Sequence, residues 1–302
     1  MGSGSDAGDL ISIGELAQRT GISIDTLRAW ERRYGEPKPL RLPSGHRRYS
    51  KDQLRRLMGV SEALAHGLRP SRFLGQPPEV LERILEELSP RTPNDPTLDT
   101  LLEYVQGYER GRLERELVAL WQRFPVVQWL QRFVVPLLAT VGRLWAEGQI
   151  TIRQEHFMSE VLEDLLRMLR LELLSDQIDA GTAPILLTSL PGERHALGLQ
   201  MVALLCAAQQ VPQRLMGADM PVAEIVAAAR DCAAKVVAVS VSLASGGPHA
   251  GNVLYELREQ LPSEVHILVG GRGARGSRRC KDGVEYLDSL PDFVQWLESQ
   301  EF

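Results

Sequence analysis

Apolar and polar positions follow three different patterns along the chain, and each pattern predicts a different kind of element. Residues 10–73 hold short apolar segments broken by Gly and Pro, which indicates short helices and a hairpin. From residue 98 to 175, Leu, Val, Glu and Arg recur at helical spacing, which predicts an antiparallel bundle of about four helices. Residues 181–302 alternate strand-length apolar runs with helical segments, which predicts a doubly wound parallel sheet.

Five apolar runs in the carboxyl-terminal part are the predicted strands. They lie near residues 183–190, 213–217, 235–242, 265–270 and 284–287, and a last helix is expected from Pro291 to Gln300. The carboxyl ends of parallel strands meet at one edge of a sheet. Polar residues that close the first, third and fourth runs are therefore expected to lie together.

The first apolar run is followed by His195, in the loop before the next helix. A lone loop histidine is most often satisfied by solvent or backbone. Glu193, however, is placed to accept the proton of one ring nitrogen, which leaves the other nitrogen free to bind a metal. Ser240 and Ser242 close the third run, and Gly270-Gly271 closes the fourth.

These features resemble the cobalamin-binding domain of the corrinoid-protein and methionine-synthase type, which carries Asp-x-His-x-x-Gly, then Ser-x-Leu, then Gly-Gly. Gly198 takes the glycine position of the first motif. The resemblance implies that His195 is the lower axial ligand of cobalt. It also implies that the nucleotide tail of the cofactor passes Ser240 and Gly270-Gly271.

Two positions depart from the family pattern. Glu193 stands where the family usually has Asp, and Ser242 stands where an apolar residue is commoner. Glu keeps the carboxylate but lengthens its reach, so the same relay to His195 is expected. We include both residues among the predicted cofactor-binding positions.

The amino-terminal pattern predicts a helix-turn-helix followed by a wing. Ser12 to Glu15 is a capping box that opens a short helix, and Ser23 caps a second helix from Ile24 to Arg33. Residues 34–49 hold too many Pro and Gly for a helix and predict a basic hairpin. A second capping box, Ser50 to Gln53, opens the next helix.

The segments 27–35 and 45–50 resemble the MerR-type winged-helix domain, because the helix motif, the wing motif and their spacing all agree. The second helix is expected in the major groove of operator DNA. The predicted DNA-binding residues are Arg28, Arg32, Arg33, Arg47, Arg48 and Tyr49, the last through its hydroxyl. Leu27 and Trp30 are expected in the core. The alternative is a solvated basic face on a small helical domain.

Trp145 is followed after nine residues by Glu155-His156, with a helix break predicted between them. A tryptophan in a bundle is more often core than function. Placed between a MerR-type and a cobalamin-type domain, the pattern resembles the CarH/LitR-type light-responsive repressors. That resemblance implies that the bundle caps the corrin, with Trp145, Glu155 and His156 against the adenosyl group. Ala146 stands where some members carry a histidine, and it cannot bind cobalt.

Charge and cysteine content fit this interpretation. Residues 10–73 carry thirteen Lys and Arg against six Asp and Glu, although the whole chain has a net charge of −5. A basic module on an acidic body is typical of a nucleic-acid reader joined to another domain. Three cysteines without metal-ligand spacing indicate a reducing cytoplasm, and no charge-free run is long enough to suggest a membrane helix.

The sequence thus predicts a multidomain chain: a winged helix-turn-helix domain (10–73), a hinge (74–97), a four-helix bundle (98–180) and a flavodoxin-like Rossmann α/β domain (181–302). The resemblances imply a cytoplasmic repressor, not an enzyme. With adenosylcobalamin it would bind double-stranded operator DNA in the dark as a homo-dimer or tetramer, and release it when light breaks the cobalt–carbon bond. Two alternatives stay open: a corrinoid carrier component of a methyltransferase, and a repressor that senses cobalamin or another tetrapyrrole without light.

Overall fold

The computed structural model describes most of the chain. The described residues are 10–20, 22–42, 46–65, 68–88, 96–174, 183–242, 245–246, 248–277 and 282–300. Gly45 of the wing motif lies outside them. Among the helices in these ranges, none is both long and apolar enough to cross a membrane.

The amino-terminal unit is a winged helix-turn-helix whose helices begin at the predicted caps. Its elements are α1 (Ile13–Thr20), α2 (Ile24–Tyr34), β1 (Leu40–Arg41), β2 (Arg47–Arg48), α3 (Lys51–Ala65) and α4 (Pro78–Leu88). Ser12 accepts a hydrogen bond from the N–H of Glu15, and Ser23 caps α2. Ser50 and Gln53 bond reciprocally at the start of α3. β1 and β2 pair antiparallel as the wing.

The core of this unit extends beyond residue 73. Leu81 and Ile84 of α4 are buried in it, so the segment 74–97, predicted as a hinge, supplies a packed helix. Gly59 of α3 leaves room for Leu85 of α4, because a Cβ at that position would lie 2.8 Å from Cδ1 of Leu85. The apolar face of α4 therefore covers α3.

The middle of the chain is the predicted four-helix bundle. Its helices are α5 (Pro96–Gln106), α6 (Arg110–Trp121), α7 (Val126–Trp129), α8 (Val135–Ala146) and α9 (Ile152–Leu173). A π-helical segment over Leu130–Val134 joins α7 and α8 into one continuous helix, so the described part of the bundle consists of four helices. Trp129 is the tryptophan at the centre of the core, and its Nε1 donates to the carbonyl oxygen of Leu117 at 3.0 Å.

The carboxyl-terminal unit contains all five predicted strands in one parallel sheet. Its elements are β3 (Ile185–Ser189), α10 (Leu197–Ala208), β4 (Gln213–Gly217), α11 (Val222–Asp231), β5 (Val236–Ser240), α12 (Pro248–Gln260), β6 (His266–Gly270), β7 (Val284–Tyr286) and α13 (Leu290–Glu298). The strand order is β4-β3-β5-β6-β7, the flavodoxin-like order. α9 packs along α10, and one apolar cluster joins the bundle to a face of the sheet.

Candidate functional site

His195 lies at the topological switch point of the sheet, between the carboxyl ends of β3 and β5. In open α/β sheets, ligands bind in the crevice at this point because the helices that follow the two strands leave on opposite faces. Ser189 at the end of β3 is in register with Ser240 at the end of β5, and Ser240 with Gly270 of β6. The predicted site residues of the sheet therefore meet at one edge.

The carboxylate of Glu193 organises this edge from a buried position, with only 1% of its surface exposed. Its Oε1 accepts hydrogen bonds from the backbone N–H of His195 at 2.8 Å and from Nδ1 of the same residue at 2.6 Å. Its Oε2 accepts from the backbone N–H of Ser242 at 2.7 Å and from the hydroxyl of Ser245. One carboxylate thus joins the loops that follow β3 and β5.

These hydrogen bonds govern the charge of the pair. Burial alone would raise the pKa of Glu193, but hydrogen bonds from His195, Ser242 and Ser245 outweigh burial and lower the pKa to about 2. The hydrogen bond to Glu193 raises the pKa of His195, while burial acts in the opposite direction. The charges of Glu193 and Glu155 raise the pKa of His195 further.

The free nitrogen of His195 is Nε2, because Nδ1 is engaged by Glu193 and lies 3.2 Å from the hydroxyl oxygen of Ser242. The histidine side chain is 63% exposed at the edge of the sheet. Across the residues that the structure describes, no cluster of three or more His, Cys, Asp or Glu could hold a metal alone. A single exposed nitrogen fits a metal whose other positions a macrocycle already fills.

Glycines give this edge its shape. A Cβ at Gly198 would lie 2.5 Å from the hydroxyl oxygen of Ser240, so a larger residue there would displace this hydroxyl. Gly271 has φ +98°, and a Cβ there would lie 2.3 Å from the carbonyl oxygen of Val241. A Cβ at Gly270, in contrast, would have open space around it. The end of β6 at Gly270 is therefore open, and half-buried Ser240 lies beside it in register.

The bundle contributes the beginning of α9 to the same region. Glu155 is close enough to His195 for its charge to raise the pKa of the imidazole. The carboxylate of Glu155 also lies 2.6 Å from Nδ1 of His156 and accepts a hydrogen bond from Ser159 at 3.0 Å. Trp145 is half-buried in the last turn of α8, in contrast to the central Trp129.

Sequence reasoning missed three residues that hold the histidine loop. Ser245 donates to Glu193, and Ser189 donates to the carbonyl oxygen of the same residue at 2.8 Å. Asp219 accepts from the N–H of Gly192 at 2.7 Å, and its own N–H donates to the carbonyl oxygen of Glu193 at 2.8 Å. Asp219 follows the second predicted strand, so the strand-end rule applied to all the strands would have found it.

The predicted DNA-binding arginines lie on α2 and on the wing. Arg28, Arg32 and Arg33 are exposed on α2. Arg47 is half-buried and forms an ion pair with Glu31 at 3.3 Å, which ties the wing to α2. Arg48 of the wing is also half-buried. Leu27 and Trp30 are buried in the core, as predicted.

Tyr49 corrects the sequence-based prediction. Its ring is 0% exposed, and its buried hydroxyl oxygen has no hydrogen-bond partner among the described residues. The backbone of Tyr49 pairs with Ile11, which points the ring into the core of the amino-terminal unit. The prediction that this hydroxyl contacts phosphate is therefore wrong, because a buried hydroxyl does not reach DNA.

Comparison with known proteins connects both regions to families. Residues 12–49 match the MerR family regulatory protein, and residues 97–170 and 183–286 match two families described as B12 binding domain. The monomethylamine corrinoid protein of Methanosarcina barkeri aligns over 68% of this chain and 98% of its own, with a TM-score of 0.54 and 15% identity. That likeness shows that the bundle and the sheet share its fold.

Two curated relatives match almost from end to end. The HTH-type transcriptional repressor CarH of Myxococcus xanthus is 29% identical over 273 residues, 86% of this chain and 88% of its own. The repressor CarA of the same organism is 29% identical over 294 residues, 94% of this chain and 95% of its own. The chain therefore combines a MerR-type DNA-binding domain with B12-binding domains, and it is homologous to the repressors CarH and CarA.

Proposed function

We propose that this protein is a light-responsive repressor that binds operator DNA in the dark with adenosylcobalamin and releases the DNA after illumination. The observation that carries the proposal is the His195–Glu193 pair at the switch point, on a chain that also exposes three arginines of a DNA-reading helix. A methyl carrier has no use for such a helix, and the relatives CarH and CarA are named transcriptional repressors. We therefore assign the chain no enzymatic activity.

The residues of the sheet would hold the lower side of the cofactor. Nε2 of His195 would bind cobalt, while Glu193 keeps the ring in one orientation through Nδ1. The open space at Gly270 and the half-buried hydroxyl of Ser240 would receive the nucleotide tail. Gly198 keeps α10 at the distance from Ser240 that this arrangement needs.

The bundle would supply the upper wall. Trp145 offers an apolar surface at the end of α8, and Glu155 and His156 offer polar atoms at the start of α9 for hydrogen bonds to the adenosyl group. Adenosylcobalamin, when bound, supplies a cobalt–carbon bond that light breaks. A ligand that touches both the bundle and the sheet stabilises only the closed arrangement, so its loss shifts the equilibrium toward the open one.

DNA affinity would depend on assembly. In the dark the closed protein would form a dimer or tetramer that presents several DNA-reading helices to several half-sites. Binding through several half-sites raises the affinity through effective concentration. Illumination would separate the copies and release the operator.

The test uses the full chain loaded with adenosylcobalamin and kept dark or exposed to green light. We expect a larger species by size exclusion and tighter operator binding in the dark, with both lost after light. His195→Ala should change the absorption spectrum and weaken cofactor binding, and Trp145→Ala should weaken the switch. An unchanged oligomer with unchanged operator affinity rules out light gating. If cofactor loading alone changes DNA binding, the protein senses cobalamin without light.

A further inference from the structure

The third helix of the amino-terminal unit contacts both sides of the cofactor region. α3 lies against the end of α8 and against the 3₁₀ turn Ala274–Ser277 that follows β6. The first contact belongs to the bundle and the second to the sheet. One helix of the DNA-binding unit thus spans the two walls between which the cofactor is proposed to bind.

The contact with the bundle is made by Arg55. Its Nη1 donates a hydrogen bond to the carbonyl oxygen of Glu147 at 3.2 Å, and the guanidinium lies over Gly148. Asp52, one turn earlier in α3, forms an ion pair with Arg55 and holds its side chain. Glu147 comes two residues after Trp145, so this contact lies at the end of α8, next to Trp145 in the sequence.

The contact with the sheet is made by Glu62, two turns after Arg55 on the same face of α3. Its Oε1 accepts a hydrogen bond from Nη2 of Arg272 at 2.8 Å. Both side chains are partly exposed, so the ion pair is weak and easily separated. Such a pair suits a contact that forms and breaks with the state of the protein.

The backbone on both sides of Arg272 packs against the loop that follows β5. Gly271 and Gly273 flank it, and a Cβ at Gly273 would lie 2.0 Å from the carbonyl oxygen of Ser242. The N–H of Gly273 donates to the carbonyl oxygen of Val241 at 3.0 Å. The N–H of Ser242 is bound by Glu193, so one carboxylate and directly packed backbone connect the histidine loop to Arg272.

We propose that α3 couples the cofactor site to the DNA-binding unit, through Arg55 on the bundle wall and Glu62 on the sheet wall. This inference rests on the proposed function, because it assumes that cobalamin binds between these walls. When the ligand holds the walls at one spacing, both contacts form together and fix the orientation of α2. When the walls separate, only one contact is kept, and the DNA-reading helix loses its fixed orientation.

The main test compares operator affinity of the full chain with adenosylcobalamin in the dark and without cofactor. Glu62→Arg should lower the ratio of the two affinities by about fivefold or more, since typical coupling factors between sites begin near that size. Glu82→Arg is the matched control, because Glu82 is an exposed residue of α4 in the same unit and the change in charge is equal. The control should keep the wild-type ratio, and the double variant Glu62→Arg with Arg272→Glu should restore it.

Equal ratios for Glu62→Arg and Glu82→Arg would overturn the inference, as would a folded double variant that fails to restore coupling. Hydrogen exchange of residues 51–65 provides a readout that does not depend on DNA. Loading with adenosylcobalamin should protect this segment in the wild type and in Glu82→Arg, but not in Glu62→Arg. If the absorption spectrum shows bound cofactor and the wild-type affinity ratio is one, the proposed gating of DNA fails. The exchange pattern still decides whether α3 responds to the site.

Discussion

Replacing Glu193 by Gln should destabilise the carboxyl-terminal unit even though the two side chains have almost the same size. The carboxylate accepts four hydrogen bonds, from the N–H and Nδ1 of His195, the N–H of Ser242 and the hydroxyl of Ser245. A carboxamide offers one oxygen, and its NH₂ group would face N–H donors at the other position. At least one buried donor would then lose its partner.

The expected size of the effect follows from the pKa of Glu193. A fall from the ordinary value of 4.5 to about 2 corresponds to about 3 kcal/mol of folding free energy. Because the folded pKa is the lower one, this contribution is complete above pH 4.5 and is lost as the pH falls toward 2. The glutamine variant has no charge to lose, so the stability difference from wild type should narrow in acid.

The assay is urea unfolding of the full chain, followed by circular dichroism, in a series from pH 7 to pH 3. We expect Glu193→Gln to lose about 3 kcal/mol at pH 7, and the difference to shrink by about half or more at pH 3. Glu224→Gln is the control, because Glu224 is an exposed carboxylate in the first turn of α11. A loss below about 1 kcal/mol at pH 7, or a difference that does not change with pH, would refute the reasoning.

Three further predictions concern other parts of the chain. Arg47→Ala should weaken operator binding and reduce the slope of log affinity against log salt concentration by about one unit. Glu31→Ala breaks the same ion pair, so it should show part of this loss of operator affinity. An unchanged slope for Arg47→Ala would mean that Arg47 does not contact DNA. Gly271→Ala should lower the free energy of unfolding, measured by thermal unfolding, by at least about 2 kcal/mol more than Gly192→Ala. Both glycines have positive φ, but only Gly271 faces a backbone oxygen. Equal losses of stability in the two variants would contradict this prediction. Burial raises the pKa of Cys206 to about 12, so a thiol reagent should modify this residue only after unfolding. Rapid modification of Cys206 in the native protein would show that α10 opens.

Local sequence determined the elements and their order. Caps at Ser12, Ser23 and Ser50 fix helix starts through bonds that span three residues, and each apolar run became a strand close to its predicted bounds. The proximity of Glu193, His195 and Ser242 could also be predicted, because in a parallel sheet the carboxyl ends of the strands lie at one edge. Those features could be predicted because their causes lie within a few residues or follow from the sheet type.

Only the tertiary structure decided the burial of Tyr49, the packing of α4 and the contacts between residues far apart in the chain. Tyr49 follows two arginines of the wing and has a hydroxyl that could bind phosphate, but its backbone pairs with Ile11 and its ring lies in the core. The helix α4 lies in a stretch with the composition of a linker, yet its residues Leu81 and Ile84 are buried in the core, and Gly59 leaves room for Leu85. Asp219 bonds to Gly192, which is 27 positions away, and Glu62 bonds to Arg272, which is 210 positions away. Contacts at such separations depend on packing of whole elements, which no local pattern of residues encodes.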